Sequence, residues 1–319
     1  MKVTMPVVVI TKPFHVEIQE QPVPEIAEDD HILVRTEYTG VSLGTEKVFY
    51  NGTWEPDPAN YPINPGYESV GIVEQCGKKV TRYKPGDRVV SFGNHAGYVL
   101  LQEGGAEPVP NHIKPEKATL AILGATATHG IERGQIPYNG KVAIFGAGVM
   151  GLLLLQHAKL GGAMFVMVCD VVDEKLKIAR QLGADLTINP KNQSPAEALK
   201  SAAGELADVC YEVAGGAAKA QEGAVRCARE HGRVLLMGGG ENMIVKFPYR
   251  VFFGSELTIL ASRATGGPAN FKRSLARIVN RQIQVDPIPT EIVPYTEIER
   301  IYKTLVEGQY GFIHLVLKW

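Results

Sequence analysis

The chain has 319 residues, 45% of them hydrophobic, and a formal net charge of −1. That length holds two domains, each with its own core, and the near-neutral charge excludes the basic surface that nucleic acid or an anionic membrane requires. The four cysteines, Cys76, Cys169, Cys210 and Cys227, are scattered without a CxxC pair, which argues against a disulfide framework or a zinc ribbon and fits a reducing cytoplasm.

The opening stretch MKVTMPVVVITKPF carries an apolar run stopped by Lys12 and Pro13, too short for a signal-peptide core, and reads as a first strand. Up to about residue 112 the chain alternates β-branched runs with turn residues. HILVRTEYTGVS, SVGIVEQCG, DRVVSFG and AGYVLLQ read as short strands of a twisted β-rich domain. From Pro115 the texture changes: PEKATLAILGATATHGIERG is helical. Strand KVAIFGAG, helix VMGLLLLQHAKLGG, strand AMFVMVCD and helix DEKLKIARQLGA then follow. After them come strand DLTINP, helix SPAEALKSAAG, strand DVCYEVAG, helix AAKAQEGAVRCAREHG and strand RVLLMGGG. Apolar strands alternating with amphipathic helices specify a doubly wound parallel sheet. The longest apolar runs are cut by His157, Lys159 and Asp170, so none spans a bilayer. Beyond ELTILAS (256–262) the tail holds a helix, a β segment, the helix TEIERIYKTLVEGQ and a last strand FIHLVLKW. It is too small to fold alone. The expected division is therefore 1–122 with 264–319 as one domain, and 123–263 as a nucleotide-binding domain inserted within it.

The most specific local pattern is VAIFGAGVMG. Gly146, Ala147, Gly148, Val149, Met150 and Gly151 spell GxGxxG directly after an apolar strand and directly before a helix. The first glycine allows the tight turn, the second lets backbone approach a pyrophosphate, and the third lets helix and strand pack closely. The helix N-terminus presents free N–H groups to the phosphates. Asp170 closes the next strand, where a carboxylate accepts from the adenosine ribose hydroxyls. Against a 2′-phosphate, two like charges 4 Å apart cost about 1 kcal/mol in water and about 4 at a partly buried surface, so NAD is the expected dinucleotide. Asp170 as a mere cap of the next helix is the plainer alternative. Lys175 lies in that helix, either reaching the same ribose or as a solvated helix-face lysine.

GYESVGIVEQCGKKVTRYKPGDRVV, with GVSLGTE, GAGVMG, KLKIARQLGAD and FIHLVLKW in order, resembles the medium-chain dehydrogenase/reductase superfamily, the zinc alcohol dehydrogenase-like proteins. The resemblance covers nearly the whole chain. It implies a Rossmann sheet inserted in a GroES-like catalytic domain, hydride transfer with a nicotinamide dinucleotide, and a homodimer pairing through the strand in ELTILAS. In zinc-dependent members the motif is Gly-His-Glu and the histidine binds the catalytic metal. Here Tyr67 stands in that place. Ser42 and Leu43 stand where a cysteine ligand is usual, and neither is a competent zinc ligand. Gly124 or Ala125 stands near the third ligand, and the four-cysteine structural lobe is missing. No catalytic or structural zinc is therefore expected, the alternative being a rebuilt site from Glu46, Glu68 and His95.

Metal coordination lowers the pKa of a bound oxygen acid from 15.7 to about 7, a charge stabilisation of about 12 kcal/mol at 1.36 kcal/mol per unit. Tyr67 is the candidate to replace it as acid or base, or else it only fills the vacated space. Thr45 matches the hydroxyl residue that passes the substrate proton outward in the family; it could instead cap a turn. Glu68 orients Tyr67 or a water, or is a structural carboxylate paired with an arginine. His95 is a second acid/base candidate or an incidental loop histidine, and His129 packs under the cofactor. Gly238, Gly239 and Gly240 pass near the nicotinamide or form a plain turn, and His314 stands where the family has a basic residue near the pyrophosphate. The leading reading is zinc-independent, NAD(H)-dependent interconversion of a secondary alcohol and a ketone on a polar or ring-bearing small molecule, with a bacteriochlorophyllide dehydrogenase-like branch as a narrower placement. The alternatives are reduction of an activated C=C bond, as in quinone and enoyl reductases, and a non-catalytic NAD(H)-binding protein.

Overall fold

The computed structural model describes residues 3–53, 60–215, 217–239, 248–308 and 311–319. The β-branched run TMPVVVITK forms β1 (Thr4–Lys12), which turns back antiparallel onto β2 (His15–Pro22). After β3 (His31–Val41) comes a two-turn helix, α1 (Leu43–Tyr50). The strands β4 (Glu68–Cys76), β5 (Arg88–Ser91), β6 (Tyr98–Gln102) and β7 (Ala106–Pro108) follow. Helix α2 (Pro115–Ala118) starts at Pro115, whose fixed φ and missing N–H suit a first helical turn.

Helix α3 (Leu120–Gly134) leads into the alternating half: β8 (Lys141–Phe145), α4 (Val149–Leu160), β9 (Phe165–Cys169), α5 (Asp173–Gln181), β10 (Leu186–Ile188) and α6 (Pro195–Ala203). Next come β11 (Ala207–Glu212), α7 (Ala218–Cys227), β12 (Ala228–Leu236), α8 (Tyr249–Gly254), β13 (Thr258–Ala261) and α9 (Pro268–Val279). Six parallel strands lie in the order β10-β9-β8-β11-β12-β13, the doubly wound arrangement expected. Its core packs Phe145, Met167, Ile188, Leu199, Cys210, Val225 and Val234 beneath the helices. The helix expected through Gly232 stops at Cys227, because Ala228 pairs with Ala207 and β12 begins there. His231 bends the strand at a positive φ of 58°.

The chain returns through β14 (Thr290–Pro294), α10 (Ile298–Glu307) and β15 (His314–Lys318). These complete a seven-stranded sheet in the order β14-β15-β3-β4-β5-β7, with β6 also on β3. In α10, Ile298, Ile301, Tyr302 and Leu305 recur at helical spacing and are all buried. They pack with Val8, Ile10, Val41, Tyr50, Leu315 and Leu317.

The chain divides into two compact units, Met1–Ile122 with Pro289–Trp319, and Leu123–Ile288. The first crossing lies between Ile122 and Leu123. The return comes at residue 289 rather than 264, so α9 belongs to the sheet-and-helix unit. Its apolar face explains the shift: Phe271, Leu275 and Ile278 are buried, and Gln156 of α4 bonds the backbone of Gln284 just beyond the helix. None of the four cysteines is in a disulfide. Among the described residues no helix is long and apolar enough to cross a membrane.

Candidate active site

The parallel unit builds its site at the carboxyl ends of β8, β9, β11 and β12. Gly146 leaves β8 at φ +113°, and a side chain there would press on the backbone of Val213 and Ala214 after β11. A Cβ on Gly151 would run into the carbonyl oxygen of Gly146, so α4 lies against the turn only because that position is bare. Gly148, the N-cap of α4, is different: a Cβ there would meet nothing within 4 Å. The three glycines thus divide into a turn, an open approach and a close contact, as a pyrophosphate cradle requires. Asp170 follows β9. Its Oδ2 accepts the Ala147 N–H at 2.7 Å and its Oδ1 the Val172 N–H at 2.9 Å. Val172, not Asp170, is the N-cap of α5. The carboxylate is therefore pinned to the glycine loop, with an unused lone pair on each oxygen for a ribose diol. Lys175 lies half-buried in the first turn of α5. The Met237 and Gly238 N–H groups both donate to the Glu212 carbonyl, at 2.9 and 3.0 Å. Gly239 is exposed, and Gly240 lies outside the described residues. These groups fit a dinucleotide: loop, helix N-terminus and ribose acceptor share one edge of the sheet. His129 is half-buried in α3.

In the other unit Tyr67 sits just before β4, and its phenol donates to Ser42 Oγ at 2.5 Å. Burial, and next the Glu68 carboxyl, push its pKa well above the usual phenol value, while hydrogen bonds with Ser42 and Thr45 work against the shift. The phenol is thus a neutral hydrogen-bond donor. Glu68 is 1% exposed, and neither of its oxygens finds a partner among the described residues. Burial, then the nearby Glu46, raise its pKa far above the carboxylate range. Among the described residues it orients neither Tyr67 nor an arginine.

Glu46 and His95 form a directed chain that the sequence does not reveal. Both are fully buried. Glu46 Oε1 accepts the Ser42 N–H at 2.7 Å, and Oε2 accepts the Tyr302 hydroxyl at 2.8 Å. His95 Nε2 lies 3.0 Å from the same Oε2, and its Nδ1 lies 2.7 Å from Thr39 Oγ1. Trp319 Nε1 can only donate, so Thr39 Oγ1 accepts from it at 2.9 Å. The Glu46 carboxylate can only accept, so the Nε2–H donates to it, and Nδ1 shares a hydrogen bond with the Thr39 hydroxyl. With both ring nitrogens engaged in the interior, His95 is no acid or base facing substrate; this corrects that expectation. His314 is likewise corrected. It is 1% exposed and held between Thr119 and Thr290. Burial, then the charge of Lys117, push its pKa down to about 3. It is neutral and brings no charge to a phosphate.

Model descriptions of two domains match: "Alcohol dehydrogenase GroES-like domain" over residues 28–128 and "Zinc-binding dehydrogenase" over residues 149–280. A D-xylulose reductase of Scheffersomyces stipitis is 30% identical over 297 residues, 81% of either chain. The chain belongs to the medium-chain dehydrogenase/reductase superfamily. As such it is an oxidoreductase. Two solved structures share the fold of this medium-chain dehydrogenase/reductase. One, an oxidoreductase/dehydrogenase of unknown specificity involved in membrane biogenesis from Escherichia coli, has a TM-score of 0.87 at 23% identity over 99% of both chains. The other, a short chain alcohol dehydrogenase from Escherichia coli CFT073 complexed with NADH, has a TM-score of 0.83 at 21% identity over 99% of both chains.

Zinc-holding side chains are thiolate, imidazole or carboxylate, and those of this superfamily member do not fit that metal at the usual place. Leu43 is apolar, Ser42 and Tyr67 are bonded to each other, and Glu46 and His95 spend their polar atoms inside the buried chain. Among the described residues no group of three or more His, Cys, Asp or Glu is arranged to hold a metal ion, so Glu46, Glu68 and His95 are not brought together as ligands.

Proposed function

We propose that the protein is an NAD(H)-dependent oxidoreductase that interconverts a secondary alcohol and a ketone on a polyhydroxylated small molecule, with side chains rather than zinc managing the proton. The observation that carries this reading is the Tyr67 phenol, held neutral and aimed by Ser42 where zinc-dependent relatives place a metal ligand. In the ketone direction the phenol donates to the carbonyl oxygen as hydride arrives, so the alkoxide never stands unprotonated. In the alcohol direction the same oxygen takes the hydroxyl proton. Nicotinamide dinucleotide, when bound, supplies or accepts the hydride. Asp170, fixed by the Ala147 and Val172 amides, favours the unphosphorylated ribose by about 1–4 kcal/mol. The polyol class is supported by the D-xylulose reductase relative. The exposed edge strand β13 supports a homodimer formed by strand pairing.

The test is turnover of purified protein with NAD and NADP against pentitols, hexitols and the corresponding ketoses, together with elemental analysis. Tyr67→Phe should lower kcat about a hundredfold or more, with metal content well below one zinc per chain. One tightly held zinc per chain, lost together with activity on chelation, overturns the reading.

A further inference from the structure

Ser42 stands immediately before α1 with extended backbone angles, φ −80° and ψ 91°, as its N-cap. A serine there ordinarily turns its hydroxyl onto the amide two or three residues ahead. Ser42 does not: its side chain makes no capping bond. The hydroxyl instead receives the Tyr67 phenol at 2.5 Å. Its backbone is held from the other side, because its N–H is bound to Glu46 Oε1, whose carboxylate is fixed in turn by Tyr302 and His95. The residue is half-buried, whereas Glu46 and Tyr302 behind it are fully buried. A side chain that gives up its local role for a longer-range one marks a functional position.

We propose that Ser42 is the positioning residue through which Tyr67 exchanges its proton with solvent. This rests on the reading of Tyr67 as the acid/base. During alcohol oxidation the carbinol C–H bond breaks with its electron pair passing to oxidised nicotinamide. The alcohol O–H proton passes to Tyr67 Oη while the phenol's own proton passes to Ser42 Oγ, and the serine proton leaves to a water molecule. The C=O bond forms, and one proton is released for each hydride transferred. Tyr67 and Ser42 both end neutral, so no tyrosinate has to exist in an enclosed site beside Glu68. Ketone reduction runs the same relay in reverse, with water as proton source.

The experiment compares Ser42→Ala, Ser42→Thr, Thr45→Val and Tyr67→Phe by steady-state kinetics in water and in D2O with the best polyol–ketose pair. It is paired with 13C NMR of protein labelled at tyrosine Cζ, the Tyr67 resonance being identified by its loss in Tyr67→Phe. Ser42→Ala should lower kcat about tenfold or more with KM within about twofold, and change the solvent isotope effect on kcat. Ser42→Thr should restore kcat to within a few-fold. In the cofactor-free protein, Ser42→Ala should shift the Tyr67 Cζ resonance and Ser42→Thr should leave it in place. An unshifted resonance in Ser42→Ala overturns the inference. So does wild-type kcat in Ser42→Ala while Thr45→Val is slow, which would route the proton through Thr45. If Tyr67→Phe itself turns over at the wild-type rate, the parent reading fails and the relay with it. If Tyr67→Phe is slow and Ser42→Ala fast, only the relay fails.

Discussion

Tyr302→Phe removes one oxygen from a fully buried side chain and tests the Glu46 network directly. The lost bond is a neutral hydroxyl donating to a carboxylate at 2.8 Å, a class worth about 1.5–3 kcal/mol. Phenylalanine keeps the ring against Tyr50, whose centroid lies 5.2 Å away, so the packing contribution is nearly unchanged. Glu46 retains the Ser42 N–H and the His95 ring but loses one of three donors inside a site without water access. Destabilisation of about 1.5–3 kcal/mol is expected in equilibrium urea unfolding, read as a shift in midpoint at constant m. The two tryptophans of the sequence, Trp54 and Trp319, both fall outside 123–288, so their fluorescence reports the unit that contains the network. Glu46→Gln should cost a similar amount, because its amide must turn a donor toward a donor. The double variant should fall short of the sum by about 1 kcal/mol or more. A change under about 0.5 kcal/mol for Tyr302→Phe, or strict additivity with Glu46→Gln, refutes the argument.

Asp170→Ser should raise NADPH affinity relative to NADH, the ratio moving by about five- to a thousandfold for 1–4 kcal/mol of relieved repulsion; paired fluorescence titrations check it, and an unchanged ratio counts against the ribose assignment. Gly148→Ala should fold with stability within about 1 kcal/mol of wild type yet bind NADH much more weakly, since its Cβ enters open space beside the cradle. Gly151→Ala should instead lose about 1–3 kcal/mol of stability by overpacking; equal effects of the two on folding would contradict the division of roles. Because burial holds His314 near pKa 3 against about 6.5 in the unfolded chain, its contribution to stability is complete above pH 6.5 and lost as the pH falls below it. The loss is about 1.36 kcal/mol per unit, or about 2 kcal/mol by pH 5. His314→Gln should flatten that slope in urea unfolding followed by tryptophan fluorescence, and an identical slope would show that the ring is not the group being protonated.

The parallel unit was legible because its signals are local. GAGVMG, Asp170 and the strand–helix alternation each lie within a few residues of what they do, and the structure places them along one sheet edge. The one misread boundary there, α7 into β12, turned on the pairing of Ala228 with Ala207, a contact that no propensity carries. The other unit hides more. Tyr302 reads as one more apolar position of an amphipathic helix, and only the fold brings its hydroxyl to Glu46. His95 is polar, sits in a loop and looks available; its complete burial depends on Thr39 and Glu46, which lie far away in sequence. Ser42 was noticed for what it is not, a metal ligand, while its partnership with Tyr67 had no signal beyond nearness to two glycines. His314 was placed in the right strand, but its charge state is set by burial and then by Lys117, neither of which its place in the sequence reveals.

The bond between Glu46 and Tyr302 joins residues 256 apart in the chain. At about 5–20 residues per second, a ribosome takes roughly 10–50 s to travel from one to the other. Throughout that interval β3 lacks its neighbour β15 and the Glu46 carboxylate lacks its phenolic donor, and the contiguous parallel unit, Leu123–Ile288, is synthesised whole before Tyr302 is reached. The nascent protein therefore carries one finished half and one open sheet edge late into translation, and that edge is where a chaperone has most to protect.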